Sequence, residues 1–144
     1  RTADAAGVSK IYLTGYTPCP LQLQDERLPH LAKKTDAQIA KTALGAEKTI
    51  PLEHREDIYP LLSELKRAGY DIAALEQTQA SVLITDWRPA EKTALVIGRE
   101  VDGIEPEVIG ACNRAIEIPM AGRKESFNVA IAAAMALYHI RFMV

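Results

Sequence analysis

Two short apolar runs near the C-terminal end constrain this chain more than any other feature. Ala94-Leu95-Val96-Ile97 runs into a glycine-and-acid turn, Gly98-Arg99-Glu100-Val101-Asp102-Gly103, and Ala115-Ile116-Glu117 runs into Ile118-Pro119-Met120-Ala121-Gly122. Ser126-Phe127-Asn128-Val129-Ala130 then opens a nearly uncharged helix. Apolar runs that stop at glycine turns read as strands feeding loops, and the ends of such strands are where open α/β sheets bind ligands.

The rest of the chain alternates in the same manner. Residues 1–6 predict a short helix stopped by Gly7, and Lys10-Ile11-Tyr12-Leu13 a strand behind it. Residues 15–29, with Pro18, Pro20 and Pro29, predict a long loop. A helix is expected from near Thr35 or Asp36 to Gly45, then a short extended piece from Glu47 to Leu52. Ile58, Leu61, Leu62, Leu65 and Ala68 recur at helical spacing, with Pro60 in the first turn and Gly69 closing. Asp71 to Leu75 reads as a strand broken by Gln77-Thr78-Gln79, and Val82-Leu83-Ile84 as a brief apolar piece. Strands at 94–97 and 114–118, a short helix near 105–111 and a last helix from Ser126 complete the pattern. Such alternation predicts an α/β fold with a mostly parallel sheet flanked by helices.

At 144 residues the chain is expected to be one domain with a sizeable core. One Trp and two Phe leave that core to Ala, Ile, Leu and Val. A net charge of −2 carries no whole-chain sign of nucleic-acid binding, so such binding would need a local patch. Cys19 and Cys112 are too few and too unpatterned for a disulfide framework or a zinc site. His30, His54 and His139 lack metal-ligand spacing, so no metal is expected. Without a secretory signal or a membrane-length apolar run, the expected home is the cytoplasm. The first residues, Arg1-Thr2-Ala3-Asp4-Ala5-Ala6-Gly7, carry no initiator Met and read as cut into an existing fold.

Several residues suit a binding site. Gly98 lets another backbone or a ligand ring come close, because no Cβ intervenes, and Gly103 does the same across the turn. The same pair is also what a tight strand-to-helix turn requires for its own geometry. Glu100 between them can accept hydrogen bonds from ligand hydroxyls or anchor the loop. Backbone groups in the loop from Ile118 can read an adenine edge, with Ile118 and Met120 as apolar walls. Ser126 suits the N-cap of the last helix, which leaves Asn128 in its first turn as an amide in need of a partner. From Asn128 to Tyr138 that helix has no charge and is apolar on every face. A partner subunit or other elements of the same chain must cover it.

Taken in order, these pieces resemble the SpoU/TrmH class of SPOUT RNA ribose methyltransferases over nearly the whole chain. Arg1 to Gly7 looks like the second half of the family's first motif, and Gly98-x-Glu100-x-x-Gly103 like its second. Ile118-Pro119-Met120 with Ser126-Phe127-Asn128-Val129 looks like the third. Thr42-Ala43-Leu44-Gly45-Ala46-Glu47 also resembles a segment common in the group. The first motif lacks its opening Asn and preceding strand. Phe127 and Ala130 stand where relatives often carry Leu and Ser.

The resemblance implies a single methyltransferase domain over 1–144 with a deep C-terminal trefoil knot, an exception to the un-knotted rule. It also implies S-adenosylmethionine as cofactor and a homodimer through the last helix. Its cofactor residues would be Leu75, Gly98, Gly103, Ile118, Met120, Ser126 and Phe127. Arg1 would be the catalytic arginine, with Glu100, Ser126 and Asn128 supporting the site. The reaction would move a methyl group to a ribose 2′-hydroxyl of RNA. Lys33, Lys34, Lys41, Arg88, Arg99, Arg123 and Lys124 are candidates for the RNA footprint. Without a separate RNA-recognition domain in these residues, tRNA is favoured over rRNA. A non-catalytic RNA-binding relative is the main alternative. A nucleotide-binding regulatory domain is disfavoured, since no glycine-rich phosphate loop opens a helix.

Overall fold

The computed structural model describes residues 1–123 and 126–143. The chain forms two compact units, Arg1–Ile58 and Tyr59–Val144, each holding a parallel sheet flanked by helices.

In the first unit, α1 (Thr2–Ala5) ends where the backbone turns left-handed at Gly7, φ +70°. Val8 N–H then donates to Ala3 C=O and Gly7 N–H to Asp4 C=O, which satisfies two terminal carbonyls of the helix. Strand β1 (Ile11–Thr14) pairs with β2 (Leu52–Arg55) in parallel, Ile11 opposite Leu52. Between them run α2 (Pro29–Ala43) and a 3₁₀ turn (Ala46–Lys48).

Two expectations are corrected here. The helix begins at Pro29, well before Thr35, because proline at the first helical position gives up no needed hydrogen bond and presets φ. Residues 47–52 do not form an extended piece; the strand begins at Leu52. Leu44 and Gly45 both adopt positive φ, 52° and 98°, and the Glu47 carboxylate accepts the Gly45 N–H at 2.9 Å, which winds this stretch into a turn.

In the second unit, α3 (Ile58–Arg67) leads into β3 (Asp71–Leu75), followed by β4 (Val82–Leu83) and β5 (Thr93–Val96). Helix α4 (Pro106–Ala111), β6 (Arg114–Glu117) and α5 (Val129–Phe142) complete it. The four strands are parallel in the order β4-β6-β3-β5. Central β3 is the most buried strand, and its Ala73 packs with Ile84, Trp87, Ile116 and Ala136 of α5. Alanine on both the strand and the helix lets α5 approach the sheet closely. Ile72 and Ile116 are fully enclosed, each worth about 1.5–3 kcal/mol of burial.

The last helix starts at Val129 rather than Ser126, and its N-cap is Asn128, whose side chain accepts the Ala130 N–H at 3.0 Å. Among its described residues only Ala136 is buried, while Ile131, Tyr138 and Phe142 are more than half exposed. Among the described residues, no helix is long and apolar enough to cross a membrane.

Candidate active site

Parallel strands end on one edge of their sheet, and that edge collects most of the residues singled out above. Leu75 is the last residue of β3, Gly98 lies just past β5, and Ile118 follows β6 directly. Strands β5 and β6 flank β3 on opposite sides. The loops that follow them leave from the same carboxyl edge, where open parallel sheets bind ligands.

The turn after β5 is closed on itself. Arg99 N–H donates to Gly103 C=O at 3.0 Å and Gly103 N–H to Arg99 C=O at 3.2 Å. A Cβ on Gly98 would lie 2.2 Å from the Gly103 carbonyl carbon and 2.6 Å from the Ile104 nitrogen. The space beside Gly98 is thus filled by another stretch of backbone. Gly103 has φ +67°, and a Cβ there would meet Glu76 Oε2 at 2.4 Å. Ile97, half exposed beside Gly98, adds an apolar side chain at the strand end.

Asn128 joins this turn to the last helix. While Oδ1 caps α5, Nδ2 donates to Glu100 Oε1 at 2.9 Å. The amide left without a partner in sequence reasoning therefore has one at each end. Ser126 and Phe127 precede the cap and are exposed. Leu75 and Ile118 are half buried against the core. The loop from Met120 to Gly122 follows and carries main-chain N–H groups near this end of β6.

Arg1 belongs to the first unit. It occupies the N-cap position of α1 without a side-chain capping bond, and its surface is exposed. Helix α1 is tethered by Thr49 Oγ1, which donates to Asp4 Oδ1 at 2.7 Å. Arg1 lines an open hollow of about 600 Å³ with Thr2, Ala5, Thr42 and Ala43. The segment Thr42–Glu47, for which sequence supplied no role, thus forms the wall beside Arg1. A second hollow of about 200 Å³ extends from Arg1 to apolar Ile11, Leu13, Ile39, Ile50 and Leu52.

The basic candidates divide between the units: Lys33, Lys34 and Lys41 on or near α2 in the first, Arg88, Arg99 and Arg123 in the second. All six are exposed, and Lys124 lies outside the described residues. His54 Nε2 lies 2.9 Å from Gly15 C=O, and His139 stacks on Trp87. Among the described residues, no group of His, Cys, Asp or Glu could hold a metal ion. Both cysteines are free, and burial pushes the Cys112 thiol up, away from thiolate chemistry.

Sequence reasoning missed Glu76. It follows β3 directly, and its carboxylate accepts the Ile104 N–H at 2.9 Å. The only local signal is an acidic residue directly after an apolar strand.

Comparison with known proteins gives the family of the chain. Residues 1–138 match the model of the SpoU rRNA Methylase family, and the chain belongs to that family. It is 30% identical over 138 residues to the tRNA (guanosine(18)-2′-O)-methyltransferase of Aquifex aeolicus, covering 96% of this chain and 58% of that protein. Among solved structures, the fold is similar to the AdoMet-bound rRNA methyltransferase of Sinorhizobium meliloti, at TM-score 0.75 and 26% identity. That match covers all of this chain and 49% of the other. It is also similar to the Aquifex aeolicus TrmH/SpoU tRNA modifying enzyme, at TM-score 0.73 and 26% identity, covering 97% and 64%. The chain spans little more than half the length of the curated relatives it matches.

Proposed function

We propose that residues 1–144 are a single methyltransferase domain that moves a methyl group from S-adenosylmethionine to a ribose 2′-hydroxyl of RNA. The observation that carries this reading is the Asn128–Glu100 hydrogen bond, which ties the second and third family motifs together beside the carboxyl edge of a parallel sheet. The donor set fits an adenosyl group. Leu75, Ile118 and Phe127 offer apolar surface, and the loop from Met120 to Gly122 offers main-chain groups, which suits a purine edge. Gly98 and Gly103 hold the facing turn in shape, and Ser126 lies beside the cap of α5. When bound, S-adenosylmethionine supplies an electrophilic sulfonium methyl.

The chain's own residues supply alignment. A ribose hydroxyl is a weak nucleophile whose proton must be shared as attack begins. Arginine is a poor base, since its pKa lies above about 12. Arg1 is therefore assigned as a clamp on the RNA phosphate and ribose, with the phosphate oxygen sharing the proton. Alignment of this kind can contribute on the order of 7 kcal/mol. Glu100 is held by Asn128, so its second carboxylate oxygen is left to orient the ribose.

A deep trefoil knot in the C-terminal part belongs to this reading, as does a homodimer that covers the exposed apolar side chains of α5. The RNA is proposed to be tRNA rather than rRNA, and the setting cytoplasmic.

The test is transfer of labelled methyl from S-adenosylmethionine to bulk RNA, with calorimetric binding of S-adenosylhomocysteine in parallel. Arg1→Ala should lower transfer by more than about a hundredfold while affinity stays within about threefold. Full activity of Arg1→Ala refutes the clamp. Absence of any binding to either compound refutes the whole reading, and binding without transfer identifies a non-catalytic relative.

A further inference from the structure

We infer that Glu76 is a positioning residue that locks the two cofactor-facing loops to each other, an assignment that rests on the proposed function above. Glu76 is bonded in two directions from one position. Its backbone N–H donates to Ile116 C=O on β6 at 3.0 Å, and its carboxylate accepts Ile104 N–H, beyond the β5 turn, at 2.9 Å.

The close packing shows that this carboxylate seats the turn. A Cβ on Gly103 would lie 2.4 Å from Glu76 Oε2 and 3.2 Å from its Cδ, so the carboxylate rests directly on the glycine. Gly98 meets the carbonyl carbon and oxygen of Gly103 from its own strand end, at 2.2 and 2.4 Å for a built Cβ. Gly98 thus faces main chain that cannot yield, and Gly103, at φ +67°, leaves the space that the Glu76 carboxylate occupies. Ile104 is buried, and its N–H loses this partner if the carboxylate leaves.

The connection that carries Glu76 is itself anchored. Thr78 N–H donates to Ser81 Oγ, and Ser81 Oγ–H is placed to donate to Glu117 Oε2 at the end of β6. A shift of Glu76 would therefore move the turn from Gly98 to Gly103 relative to Ile118 and Met120, and the spacing between those loops is what an adenosyl group reads. Glu76 need not touch the ligand to set that spacing.

The experiment uses Glu76→Ala and Glu76→Gln, since glutamine keeps a side-chain carbonyl acceptor. Binding of S-adenosylhomocysteine is measured by calorimetry, and amide exchange at Ile104 by NMR. In Glu76→Ala, Ile104 should exchange more than about tenfold faster while Ala73 and Ala74 in β3 keep their protection. Affinity should fall about tenfold or more through misplacement of the loop, and Glu76→Gln should restore it to within about threefold of the parent. Parental exchange at Ile104 in Glu76→Ala, or parental affinity in a variant whose Ile104 exchanges fast, overturns the assignment. If the parent itself binds neither S-adenosylhomocysteine nor S-adenosylmethionine, the cofactor reading fails and this one falls with it. Exchange at Ile104 then still reports whether Glu76 holds the turn.

Discussion

Gly98→Ala is the sharpest perturbation of the turn after β5. The added methyl carbon would sit 2.2, 2.4 and 2.6 Å from three backbone atoms of Gly103 and Ile104. Ordinary carbon contacts lie at about 3.5–4.0 Å, so the deficit is more than 1 Å, roughly 1.3–1.8 Å at the carbonyl carbon. No flexible side chain can yield, because every close neighbour is main chain. The turn must open, which breaks the paired Arg99–Gly103 hydrogen bonds and the Ile104–Glu76 bond. At about 0.5–1.5 kcal/mol each, loss of the three bonds comes to about 2–4 kcal/mol, in line with the cost of overpacking. For a chain of this length each kcal/mol moves Tm by roughly 3–4 °C, so a fall of about 6–16 °C is expected. Trp87, the single tryptophan and 2% exposed, reports unfolding of the second unit by fluorescence in urea. Gly110→Ala is the matched control: nothing lies within 4 Å of its built Cβ, and in α4 alanine should stabilise by about 0.5–1 kcal/mol. A Gly98→Ala protein within about 0.5 kcal/mol of the parent would refute the reasoning, since that is the range of an ordinary surface change.

Two further outcomes follow from side-chain bonds. Asn128→Ala removes the cap of α5 and should cost about 1 kcal/mol, whereas Asn128→Ser keeps a capping oxygen and restores most of that stability. Both lose the bond to Glu100, so methyl transfer should drop in both, and urea titration beside turnover separates the two effects. In the loop before α2, Arg27 grips Asp25 and also donates to the carbonyls of Cys19 and Pro20. Its guanidinium holds the Asp25 carboxyl well below the usual carboxylate range. A lowered folded pKa stabilises fully above the ordinary value of about 4 and is lost only as pH falls through the folded value. The parent loop should therefore resist pepsin at pH near 4, while Arg27→Ala should be cut near exposed Tyr16 and Leu23, as mass spectrometry of the fragments would show.

Which features were legible in the sequence depended on how far apart the interacting residues lie. Strand β3 was read with its observed bounds, and the Gly69 stop and Pro60 in the first turn of α3 follow from neighbours within a few residues. Pro29 misled because proline serves equally as a loop residue and as a helix opener, and the choice lies in the chain it leads into. Ser126 and Asn128 are both good caps. Asn128 prevails where Nδ2 finds Glu100, 28 positions earlier in the chain, a partner that no helix-start pattern contains. The family motifs fall on loops at the carboxyl edge of the sheet, yet motif matching treats each glycine as a token. The geometry explains them: Gly98 is glycine because the Gly103 main chain is there, and Gly103 because its φ is +67°, with the Glu76 carboxylate seated against it. That chain of reasons requires β5 beside β3, and strand order is a property of the folded sheet. Glu76 has no periodicity, no motif and no glycine beside it, so only adjacency reveals what it holds. Residues of this kind, joined to a motif through space, are where substitutions outside the motifs should alter the site most.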